Sequence, residues 1–184
     1  LHQRGLIHMD LKPQNLLVVE GRAGPQVKLI DLHLSRLRHV PHDGTMRGTI
    51  AYMAPEVVRG REVDARADLY SLGAVAYEAL CGKAPFAEAG SPMDVLRGHA
   101  QRSPLLFEAR GVKDVPEELE EWVRCLLAKR PGERYEDAHE ALRALASSLG
   151  RELPLETQAA RQSYSLRGAL TERESEQRAV LAAA

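Results

Sequence analysis

Residues 1–150 are expected to form a mainly α-helical domain with one small β-hairpin, and three features carry that expectation. Two short runs rich in β-branched residues flank a segment of turn formers near the start. A nearly continuous apolar stretch follows at 67–81 and ends at a glycine. Two later segments then repeat apolar residues at helical spacing.

The hairpin is drawn from Leu16-Leu17-Val18-Val19 and Val27-Lys28-Leu29-Ile30, joined by the Gly- and Pro-containing segment 20–26. From Asp31 to Pro55 periodicity disappears while Gly, Pro, Thr and His accumulate, so a long irregular loop is expected, of a kind usually kept for function. Residues 67–81 place Leu69, Leu72, Val75 and Leu80 all round a helix, which predicts a segment in the middle of the core, stopped by Gly82 before Pro85. Pro116 is expected in the first turn of the next helix. Its stripe is Leu119, Trp122, Val123, Leu126 and Leu127, and its N-terminus carries Glu117, Glu118, Glu120 and Glu121, where the helix dipole favours them. Ala138, Ala141, Leu142, Leu145 and Leu149 form the last stripe, closed by Gly150 and Pro154. The domain is therefore expected to end near Gly150. Residues 151–184 read as a linker or helical tail, in which Thr171 and Glu174 have capping-box spacing.

The 184 residues are 44% hydrophobic, enough for one compact domain with a core. Lys and Arg number 25 against 26 Asp and Glu, so no basic excess points to nucleic acid or an anionic membrane. Cys81 and Cys125 sit in apolar segments without a Cys-x-x-Cys partner and read as reduced, buried thiols of a cytoplasmic protein. No apolar run is long enough to span a bilayer, and the first residues lack a signal-peptide pattern. The chain opens on leucine, which suggests a piece of a longer protein. Trp122, on its apolar stripe, is expected to pack in the core, and His33, His39 and His42 match no zinc spacing.

The chemically distinctive residues come in three groups. His8-Met9-Asp10-Leu11-Lys12-Pro13-Gln14-Asn15 is followed, after the hairpin, by Asp31-Leu32-His33, and then by Gly48-Thr49-Ile50-Ala51-Tyr52-Met53-Ala54-Pro55-Glu56. Any one of these alone reads as a surface turn or a capping carboxylate; their order is the signal. Together they resemble the catalytic loop, metal-binding motif and activation-segment end of eukaryotic-type Ser/Thr protein kinases, over residues 1–150.

That resemblance implies the C-terminal lobe of a protein kinase, without the N-terminal β lobe and its Gly-rich loop, strand lysine and partner glutamate. Phosphoryl transfer to a hydroxyl needs a carboxylate to orient the attacking oxygen and oxygen ligands to hold Mg²⁺ on the phosphates of ATP. Residue by residue, the resemblance makes Asp10 the base, Lys12 the cation beside the transferred phosphate, and Asn15 and Asp31 the Mg²⁺ ligands. Lys12-Pro13 and Thr49 are similar to the Ser/Thr-specific class, whose substrates are proteins. Asp68 is implied to anchor the catalytic-loop backbone, its bland alternative being a helix N-terminal carboxylate. Arg134 is implied to pair with Glu56, and Thr45 and Thr49 belong to the implied activation segment.

Two positions depart from the family pattern. Met9 replaces the usual arginine, removing the cation that pairs with a phosphorylated activation loop. His33 replaces a glycine that adopts positive φ cheaply. These departures keep a pseudokinase or protein-interaction module as the alternative, and the isolated chain is expected to be inactive.

Overall fold

The computed structural model describes residues 1–2, 5–21, 24–31, 36–37 and 49–150, the pair 36–37 by its backbone alone. The chain divides into units Leu1–Arg151 and Glu152–Ala184, so the expected tail, with Thr171 and Glu174, lies outside the described residues. Thr45, His33, His39 and His42 also lie outside them.

The hairpin forms as β2 (Leu16–Gly21) and β3 (Gly24–Leu29), in antiparallel register from Leu16 opposite Leu29 to Gly21 opposite Gly24. Val18 and Val27 face each other across it and remain exposed. A second two-stranded sheet was not expected. β1 (Leu6–Ile7) pairs antiparallel with β4 (Arg36–Leu37), so the segment read as one irregular loop contains a strand, and a 3₁₀ turn at Ile50–Tyr52. Two residues are too few for alternation to register in a sequence.

Five helices follow among the described residues: α1 (Pro55–Val58), α2 (Arg66–Cys81), α3 (Pro92–Gln101), α4 (Glu117–Leu126) and α5 (Ala138–Ser148). α2 ends where Gly82 takes a left-handed φ of 72°, a conformation that costs a residue with a Cβ more. Its first turns, Ala67 to Ser71, are wholly buried, but Ala79 is exposed and Leu72, Val75 and Leu80 are half-buried. The helix is thus core at its start and one-sided at its end, a correction to the all-round burial expected. α3 shows too few apolar residues to be read from periodicity; Ser91 starts it by accepting a bond from the Asp94 amide, and Pro92 supplies the first turn.

Pro116 caps α4 rather than lying within its first turn. Trp122, Val123 and Leu126 turn inward, and the Trp122 indole donates to the Ala141 carbonyl at 2.8 Å, joining α4 to α5. Asp137 caps α5 through the Glu140 amide at 2.7 Å. Only Ala141 of that stripe is fully buried, and Leu149 is exposed. The two thiols are free and half-buried rather than buried; burial raises the pKa of each.

α2 and α4 meet at Gly73, where a Cβ would fall 2.7 Å from Leu126 Cβ and 3.2 Å from Leu127 Cγ. Gly73→Ala is therefore expected to destabilise the domain by about 1–3 kcal/mol through overpacking, read as a lower urea midpoint at unchanged slope. An unchanged midpoint would mean that the helices separate freely here.

Candidate active site

The chain turns sharply after β1, and Met9 adopts a φ of 70°, unusual for a residue with a side chain. The turn aims two successive amides at one acceptor. His8 N donates to Asp68 Oδ2 at 2.7 Å and Met9 N to Asp68 Oδ1 at 2.9 Å, and His2 Nε2 lies 2.7 Å from Oδ2. Asp68 is buried in the first turn of α2, so the longest helix of the domain fixes this turn. His8 is buried below it: Nδ1 accepts from the Asp10 amide at 3.3 Å, leaving Nε2 to donate to the Ile30 carbonyl at 3.2 Å. The Met9 side chain packs half-buried on the core.

Charge-assisted bonds of this kind each contribute about 1.5–3 kcal/mol. Asp68→Ala is expected to destabilise the domain by roughly that amount or more and to strip exchange protection from the His8 and Met9 amides. Retained protection at both amides would show that the strained turn stands without its carboxylate.

The turn delivers Asp10 to a cluster of donors. Lys12 Nζ reaches Oδ2 at 2.5 Å, and the Thr49 amide and hydroxyl reach Oδ1 at 3.0 and 3.1 Å. Lys12 Nζ also donates to the Thr49 hydroxyl at 3.1 Å, so that hydroxyl accepts from the lysine and donates to the carboxylate. The Asn15 amide nitrogen donates to the Asp10 carbonyl at 2.8 Å and approaches Oδ2 at 3.4 Å. Burial raises the Asp10 pKa, but the bonds from Lys12 and Thr49 outweigh it and hold the carboxyl below the usual range. Asp10 is ionised at neutral pH.

Asn15 is buried, and its backbone carbonyl accepts from Ile30 N at 2.9 Å. Together with the Leu16–Leu29 register, this bond sets Asn15 and Asp31 at the same end of the hairpin. Asp31 is exposed, with a left-handed φ of 60°. Asn15 spends its amide nitrogen on Asp10, which leaves its amide oxygen to turn toward a cation. An amide oxygen and a carboxylate are hard donors that fit Mg²⁺, which takes few protein ligands beside water and phosphate oxygens. Among the described residues, no group of three or more His, Cys, Asp and Glu side chains could hold a metal by itself.

Glu56 and Arg134 lie apart from this cluster and meet each other. Arg134 Nη1 and Nη2 donate to the two Glu56 carboxylate oxygens, both at 2.7 Å, in a fully buried fork. Further bonds to the Ala128 and Arg66 carbonyls, at 2.9 and 2.8 Å, tie the loop before α5 to α1 and the start of α2. Two contacts had no signal in the sequence. The Tyr52 hydroxyl donates to Glu78 Oε2 at 2.6 Å, and the Ser71 hydroxyl donates to the Tyr52 carbonyl at 2.8 Å, so α2 holds the segment that carries Thr49.

The sequence model of the protein kinase domain matches residues 1–145. The serine/threonine-protein kinase PknB of Mycolicibacterium smegmatis is 40% identical over 144 residues, covering 76% of this chain and 22% of its own length. Pkn1 of Myxococcus xanthus, also named a serine/threonine-protein kinase, is 40% identical over 143 residues, which is 73% of this chain and 20% of that protein. Pkn2 of the same organism is 36% identical over 155 residues, 80% of this chain and 19% of its own. The chain thus spans about a fifth of the length of these curated relatives. With a family match over most of the chain and this level of identity, the chain belongs to the protein kinase domain family.

Proposed function

We propose that this chain is the C-terminal lobe of a protein kinase that transfers the γ-phosphate of ATP to Ser or Thr hydroxyls of protein substrates. The observation that carries the reading is Asp10: an ionised carboxylate, partly buried, with Lys12, Thr49 and Asn15 all within hydrogen-bonding reach. A substrate hydroxyl would displace the Thr49 hydroxyl from Oδ1 and donate its proton there, while the Thr49 amide keeps the carboxylate aimed. Lys12 stays bound to Oδ2 and presents positive charge to the negatively charged oxygens of the transferred phosphoryl group. Asn15 and Asp31 would hold Mg²⁺, which when bound neutralises charge on the ATP phosphates.

Catalysis of this kind is mostly positioning and electrostatics. Residues 1–184 alone are accordingly expected to be inactive, and the full-length parent to be the enzyme. Its site in the cytoplasm belongs to the same proposal; among the described residues no helix is long and apolar enough to cross a membrane.

The metal assignment is tested by the Mg²⁺ dependence of phosphate transfer in the parent. Asp31→Ala and Asn15→Ala are each expected to raise the half-saturating Mg²⁺ concentration by about tenfold or more, the loss typical of a disturbed metal site. An unchanged Mg²⁺ dependence in both variants would remove them from the metal site.

A further inference from the structure

Three cations lie around α3 and the Phe86 ring packed on it, with no carboxylate partner among the described residues. Lys129 Nζ lies 5.2 Å from the centroid of the Phe86 ring, and the Arg102 guanidinium 5.6 Å from the same centroid. Arg59 donates through Nη2 to the Ala100 carbonyl, and Arg102 through Nη2 to the Asp94 carbonyl at 2.9 Å. The acids of this region are already engaged. Both Glu56 oxygens hold Arg134, and the Asp94 carboxylate takes Ser91 and Arg97.

We propose that Arg59, Arg102 and Lys129 form a binding site for a phosphoryl-type oxyanion, whether free phosphate or a phosphate carried by a protein partner. A cation near a helix C-terminus is favourable by itself, and that accounts for Arg59 on the Ala100 carbonyl; the Arg102 guanidinium instead folds back to the carbonyl of Asp94 in the first turn of α3. The helix end does not account for Lys129. Its ammonium donates to the Tyr70 hydroxyl at 3.1 Å and lies 5.2 Å from the Tyr70 ring, whose hydroxyl pairs in turn with His99 Nδ1 at 2.9 Å.

The platform is rigid. Phe86 adopts a φ of 61°, and a Cβ on Gly98 would fall 2.5 Å from Phe86 Cγ, so the ring lies directly on the α3 backbone. The His99 ring meets it edge-on at 5.1 Å. Arg59 and Arg102 are exposed, and a guanidinium with one nitrogen on a helix carbonyl still offers N–H donors to an oxyanion.

Burial, and repulsion by Arg134 and Arg59, bring the Lys129 pKa down to about 8. An anion beside it would favour the charged form and raise that pKa, so binding near this pH takes up protons. Of the groups facing Lys129, His99 is pushed down to about 4 by burial and then by the Lys129 charge, and Tyr70 is raised by burial; the remaining charged groups are the guanidinium groups of Arg59, Arg102 and Arg134 and the Glu56 carboxylate that Arg134 binds.

The test is isothermal titration calorimetry of the 184-residue chain at a pH near 8 and constant ionic strength, in two buffers of different ionisation enthalpy. One arm uses inorganic phosphate; the other uses a phosphoserine peptide with its unphosphorylated twin. The expected result is binding with proton uptake, weakened about tenfold by Arg59→Gln or by Arg102→Gln. Lys129→Arg should keep binding and abolish the uptake. Both glutamine variants replace exposed side chains, and thermal melting checks that their fold is intact. Tighter binding of the phosphopeptide than of phosphate assigns the site to a phosphorylated partner, and equal binding assigns it to the free anion. No binding in either arm overturns the proposal. So does unchanged affinity in an Arg59→Gln/Arg102→Gln double variant, or proton uptake that survives Lys129→Arg.

Discussion

Asp10→Asn in the full-length parent is expected to lower kcat by about 10²–10⁴, the range for losing a positioned acid-base group, while KM for ATP changes little. The asparagine keeps one oxygen for the Thr49 amide and hydroxyl that now reach Oδ1. Its amide nitrogen, placed at Oδ2, would confront the Lys12 ammonium that the carboxylate now binds at 2.5 Å. The variant therefore removes both the acceptor for the substrate proton and the anchor of the nearby cation. A loss confined to KM would make Asp10 a binding group instead. The pH profile gives a second check: the folded-state pKa lies below 3.8, so the carboxylate is lost only as pH falls through that lowered value. Any acid limb of kcat at higher pH belongs to another group.

Arg134→Ala is expected to cause the largest loss of stability. The guanidinium and the Glu56 carboxylate are both buried and meet in a bidentate pair, so the variant leaves an uncompensated buried charge. Breaking such a pair costs about 3–5 kcal/mol, a large part of the ~5–15 kcal/mol that holds a domain. For a chain of this size the melting temperature should fall by roughly 6–20 °C. An Arg134→Met/Glu56→Gln double variant removes both charges and is expected to recover part of the loss. If Arg134→Ala melted like the wild type, the buried fork would be adding nothing to stability.

The sequence made some layers of this architecture legible and hid others, for physical reasons. A long period-3.6 stripe, as in α4, is a strong signal because its apolar positions recur with little competition, and the polar N-terminal glutamates mark the start. The hairpin was legible from β-branched runs around turn formers, although its strands extend to Gly21 and Gly24. α3 was missed because Gly98 and His99 occupy its inner face, where glycine admits the Phe86 ring and the histidine reaches Tyr70. β1 and β4 were missed because their pairing is long-range and only two residues deep.

The site shows the same division. Asp10, Lys12 and Asn15 are close in sequence, and one turn suffices to bring them together. In the sequence Thr49 stands out as a mark of the Ser/Thr class and a member of the implied activation segment, not as a partner of Asp10. Its two bonds to Asp10 cross 39 residues, and nothing in local spacing reports them. The Tyr52–Glu78 bond is hidden for the same reason.

The most direct test of the proposed activity is transfer of labelled γ-phosphate from Mg-ATP to a generic Ser/Thr protein substrate by the folded full-length parent, run beside residues 1–184 alone. Label in the substrate from the parent and none from the shorter chain is the predicted result. No label from a demonstrably folded parent would contradict it and leave a domain that binds partners without transferring phosphate.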